Sequence, residues 1–92
     1  TALDPTQLPA GASLRDGSQT GKIFRVVGPV GKGRRLTVGV GGDYYDVWSF
    51  DKDLRDRLRK EHKAGQTIRF HGELGQYRGR WQFIIRDASW VK

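Results

Sequence analysis

The chain has 92 residues, 36% of them hydrophobic and 13 of them glycine, which suits one small domain with a modest core and leaves little room for a large buried cavity. Lys and Arg number 17 against 10 Asp and Glu, and the resulting net charge of +7 points to a polyanionic partner while saying nothing about fold. There is no cysteine, which excludes disulfide frameworks, thiolate zinc sites, thiol nucleophiles and redox motifs.

No apolar run nears the roughly 20 residues that span a bilayer, and no signal-peptide pattern is present. The chain begins with Thr and is expected to be a processed protein or a piece of a longer one. The lack of cysteine leaves the compartment open, with the cytoplasm favoured over secretion. Residues 1–20 contain two of the three prolines and no sustained alternation, so they are expected to form a flexible arm or linker ahead of a domain over 21–92.

Ile23 to Val30 is apolar and β-branched, and Phe24, Val26, Gly28 and Val30 share one face. Arg34 to Gly41 alternates, with Leu36, Val38 and Val40 on the inward side and Gly39 and Gly41 on a bare opposite side. Gly41-Gly42-Asp43 is a turn signal, and Tyr44 to Phe50 follows as an aromatic third strand. Asp51 is a suitable N-cap for a helix in which Leu54 and Leu58 form a narrow apolar stripe and Gly65 is the expected stop. Asp51/Arg55, Asp53/Arg57 and Asp56/Lys60 are acid-before-base pairs, each worth about 0.3–0.5 kcal/mol if formed. Alternation resumes at Gln66, with Ile68, Phe70, Gly72 and Leu74 inward; Gly75–Gly79 reads as a loop and about Arg80 to Trp90 as the last strand. The first and fourth strands echo each other, each with glycine at the third inward position, where a small barrel bends its strands.

An order of three strands, a helix and two strands resembles the OB-fold, a five-stranded Greek-key barrel with one short helix between strands 3 and 4. Residues 23–30 look like the first strand of bacterial OB nucleic-acid-binding modules, and residues 45–50 like their third. Ala64-Gly65-Gln66-Thr67-Ile68-Arg69-Phe70-His71-Gly72-Glu73-Leu74 is similar to their G-x-x-V-x-V-x-G-x-V run. Gln76-Tyr77-Arg78-Gly79-Arg80-Trp81-Gln82-Phe83-Ile84 is similar to their x-Y-x-G-x-x-Q-hydrophobic ending, although Trp81 departs from the usual small or polar residue. The likeness covers residues 21–91 and is nearest to the anticodon-binding type, the N-terminal domain of the exonuclease VII large subunit and OB modules of bacterial extracellular nucleases. It implies an all-β barrel whose first-second and fourth-fifth loops flank one oligonucleotide groove.

Residues 21–42 carry +5 and residues 62–92 carry +4, whereas 43–61 carry −1. The excess positive charge therefore belongs to the strands and loops that such a groove would use. Lys32, Arg34 and Arg35 fall in the first loop and Arg78 and Arg80 in the second, where they would neutralise phosphates; Arg25, outward on the first strand, would line the floor. Tyr77 sits between basic residues as the foremost stacking candidate; Trp48 or Tyr44 joins it if Val47 points inward, and Tyr45 if the register of that strand is reversed. Trp81 completes the candidate set. Gly28-Pro-Val-Gly-Lys-Gly-Arg-Arg is not a Walker A loop, because no Ser or Thr follows the Lys and no helix follows the loop, and a KH-type GXXG would join helices.

His71 and Glu73 share a strand face but are too few to make a convincing metal site, and no nucleophile-base-orienter set suggests itself. The reading is a non-enzymatic domain without a small-molecule cofactor or membrane insertion. It would bind single-stranded DNA or RNA with little sequence choice, as an accessory module of a larger protein. The alternative is an OB-fold protein–protein assembly domain, with Tyr44, Trp48, Trp81 and Trp90 as its patch.

Overall fold

Alternation and turn chemistry build the architecture of the computed structural model, which describes residues 2–92. It is mostly sheet: β1 (Ile23–Pro29), β2 (Thr37–Val40), β3 (Asp43–Trp48), β4 (Thr67–Tyr77) and β5 (Arg80–Ile84), with α1 (Lys52–Glu61) between β3 and β4. The strands form one sheet in the order β1-β4-β5-β3-β2. β3 and β5 run parallel and every other pair is antiparallel. Beyond the two end strands, Val30 bridges Val38, and the Gly31 N–H donates to the Thr37 carbonyl at 3.1 Å.

The inward face follows the period of two. Phe24, Val26, Val38, Ile68, Phe70, Leu74 and Phe83 are buried, with the Phe83 ring among Phe24, Tyr45 and Phe70 at centroid distances of 6.3, 5.0 and 6.0 Å. Gly28 and Gly72 both mark close approaches: a Cβ on Gly28 would meet the Gly39 carbonyl oxygen, and one on Gly72 would lie 2.8 Å from the Phe83 Cβ. α1 starts where Asp51 accepts from the Asp53 and Leu54 N–H groups at 3.0 and 3.2 Å, and it buries Leu54 and Leu58 in the core.

Three boundaries differ from the sequence reading. β4 runs through Gly75 to Tyr77, and the turn is only Arg78-Gly79, with φ of +50° and +78°. Two consecutive positive φ values suit a two-residue hairpin turn that matches the strand twist. β5 stops at Ile84; Asp87 then caps a 3-10 turn over Ala88–Trp90, and Val91 bridges Phe70. α1 ends at a His62 cap, three residues short of Gly65, and the Gly65 N–H instead donates to the Val30 carbonyl at 2.8 Å. The segment before β1 meets the sheet at Leu3, Leu14 and Arg15. Leu3 exchanges backbone bonds with Ile23 and Arg25 at 2.9 and 2.7 Å along the free edge of β1, which shields that edge. Leu14 enters the core, and Arg15 donates to the Tyr44 carbonyl at 2.9 Å.

Candidate nucleic-acid interface

The outer face of the sheet is set by register. Val47 and Tyr45 point inward, so Tyr44, Asp46 and Trp48 point out. Asp46 lies opposite Gln82 on β5, and the short turn holds Tyr77 opposite Arg80. The Arg80 guanidinium forks onto Asp46, with Nε to Oδ2 at 2.8 Å and Nη2 to Oδ1 at 2.9 Å. Arg35 approaches the same Oδ2 at 3.6 Å from the loop before β2. The two basic loops therefore meet at one carboxylate. Asp46 is held below the usual carboxylate range, chiefly by the Arg80 hydrogen bonds and further by the charges of Arg80 and Arg35.

Around this point the sheet, the β4–β5 turn and α1 enclose a groove of about 1180 Å³. Its walls carry eight Arg and Lys side chains and two Asp, Asp46 and Asp56. The helix supplies Lys52, Arg55, Arg59 and Lys60 to the wall facing Tyr77 and Arg78. Arg55 lies over the Trp48 ring at 4.1 Å and donates to the Ser49 carbonyl at 2.7 Å, so its planar cation is fixed against the aromatic face. Phe50 meets Trp48 edge to face at 6.5 Å and is 70% exposed. Tyr77 is exposed, with the Arg78 guanidinium 5.3 Å from its ring.

Of the residues expected to act together, the groove gathers Arg35, Trp48, Tyr77, Arg78 and Arg80. The others lie elsewhere. Arg34 lines a smaller recess beside the groove. Lys32 sits in the β1–β2 loop without lining either concavity. Tyr44 lays its ring over Gly39 and Gly31, so the bare strip expected at Gly39 is covered by protein. Arg25 faces the N-terminal segment and pairs with Asp4 at 3.6 Å, two strands from β3. Trp81 takes the inward parity of Phe83 and packs partly buried against the core.

The helix cations were not among the sequence candidates. Their signal was present as the three- and four-residue spacing of Lys52, Arg55 and Arg59, but acids in the same stretch hid it. The expected acid-base pairs are not the ones formed: Asp56 takes Lys52 at 3.1 Å and Arg59 at 3.3 Å, and Glu61 takes Arg57 at 3.9 Å. Glu73 is forked by Arg86 at 3.0 and 2.8 Å, which takes it away from His71. Among the described residues no three His, Asp or Glu side chains gather as a metal site, and no helix is long and apolar enough to cross a membrane. The chain matches no protein-family model, no curated protein and no solved structure.

Proposed function

We propose that the groove binds single-stranded DNA or RNA with little sequence preference, as an accessory module of a larger protein. The observation that carries this reading is the lining of the groove: eight cations against two carboxylates, with Trp48 and the exposed Tyr77 set among them. Cations that track a phosphate backbone supply affinity without reading bases, and rings with open faces stack any unpaired base. The strand order, with the Val30–Val38 bridge joining its two ends, supports reading the sheet as an OB-type Greek-key barrel. Phe50, edge-on to Trp48 at the groove margin, favours a protein partner as the second reading, whose binding would persist in high salt.

Tryptophan fluorescence during titration with a short single-stranded oligonucleotide tests the proposal, because Trp48 lines the groove. A saturable change at low salt, matched by a gel shift and poorly competed by duplex, is expected. Absence of binding by both methods at low salt overturns it.

A further inference from the structure

The loop of residues 31–36 and the C-terminal end of α1 enclose a second recess of about 160 Å³. Arg34, Arg35, Arg59, His62 and Lys63 line it, and no carboxylate does. Arg35 and Arg59 have acidic partners on the groove side, in Asp46 and Asp56. Arg34 and Lys63 have none among the described residues. Cations brought together around a concavity repel one another unless an anion offsets them. The helix end carries negative dipole charge, but His62 covers the Leu58 carbonyl with both its backbone N–H, at 3.1 Å, and its ring Nδ1, at 2.9 Å.

The recess opens from the groove, since Arg35, Leu36, Arg59 and Lys63 line both. Backbone hydrogen bonds border it on the side of β1 and β4. The Val30 N–H donates to the Gln66 carbonyl at 2.8 Å and the Gly65 N–H to the Val30 carbonyl at 2.8 Å, stitching the end of β1 to the start of β4. Cations this closely set, with Arg34 and Lys63 left without acidic partners among the described residues, suit a strand terminus, because a terminal phosphomonoester carries about −1.5 to −2 at neutral pH, more than an internal phosphodiester.

We propose that this recess is a phosphomonoester site that holds the phosphorylated end of a single strand lying in the groove, an inference that rests on the groove reading. The test uses three oligonucleotides of one sequence, bearing a 5′-phosphate, a 3′-phosphate or hydroxyls at both ends, with affinities read by fluorescence anisotropy at moderate salt. One phosphorylated end is expected to bind about fivefold tighter than the hydroxyl-ended strand. In the double variant Arg34→Gln, Lys63→Gln that ratio falls below about twofold. Arg57→Gln, a charge loss outside both concavities, should keep the ratio of about fivefold and so separates the recess from a general loss of positive charge, and a thermal melt verifies that the double variant folds. Equal affinity for all three ends in the native protein overturns the recess and leaves the groove reading standing. A preference that survives the double substitution also overturns it. No binding of any oligonucleotide overturns both.

Discussion

Tyr77 ends β4 with its ring 60% exposed beside Arg78, and nothing in the core depends on it. Replacing it with Ala should weaken single-strand binding about fivefold or more, with the melting temperature little changed; unaltered affinity in anisotropy titrations would remove it from the site. Asp46 acts in the opposite direction. Its side chain is only 14% exposed, and it holds Arg80 by a fork and Arg35 in part, at the centre of the proposed phosphate-binding groove. Asp46→Asn should therefore tighten oligonucleotide binding about threefold, by freeing both cations and removing a repulsive charge. The same variant should melt at a lower temperature, because the forked pair is lost. Weaker binding would instead assign Asp46 the role of holding Arg80 in position. Gly28→Ala tests packing alone: its Cβ would strike the Gly39 carbonyl of a neighbouring strand, so chemical denaturation should show a loss of about 1–3 kcal/mol.

At the scale of elements, α1 presents two unlike charged faces. Lys52, Arg55, Arg59 and Lys60 face the groove, while Arg57 pairs with Glu61 outside it. Lys60→Gln should weaken oligonucleotide binding and flatten its salt dependence, whereas Arg57→Gln should do neither; equal losses in the two variants would mean that net charge alone drives binding. How far these elements were legible from sequence follows from which forces set them. The inward faces of β1, β2 and β4 were plain, because Val26, Val38 and Ile68 obey a period of two that water enforces locally. The helix start was plain because Asp51 caps its own next residues. The β4–β5 turn was overdrawn because Gly75 looked like a breaker. Its φ is not positive, and it lies in extended pairing opposite Gln82, so only Arg78 and Gly79 turn the chain. In the site, Tyr77 and Arg78 could be placed from neighbours in sequence. Arg80 is a candidate on the same grounds, but its fork onto Asp46 is not readable, because that partner lies 34 residues away. The surroundings of Arg25 and Trp81 are likewise not readable: the N-terminal segment that supplies Asp4, and the packing of Trp81 against the core from β5, are set by tertiary structure.

At the scale of the whole molecule, the paired carboxylates tie stability to pH. Asp46 and Glu73 are lowered from ordinary values of 3.8 and 4.5, chiefly by hydrogen bonds from Arg80 and Arg86. A lowered folded-state pKa contributes stability that is present above the ordinary value and lost as pH falls through the lowered one. The melting temperature should accordingly hold near neutral pH and decline below about pH 4, helped by growing self-repulsion of a chain already at +7. A melting temperature that stays flat to about pH 2 would show that these pairs contribute nothing.

Whether the cationic groove takes a phosphate backbone is read from the affinity of a short single strand across salt concentrations. A slope of log K against log salt of about −3 or steeper is expected, since each single-strand phosphate neutralised contributes roughly −0.7 and the groove has cations for four or more. A slope shallower than about −1, or binding undiminished in high salt, would contradict it.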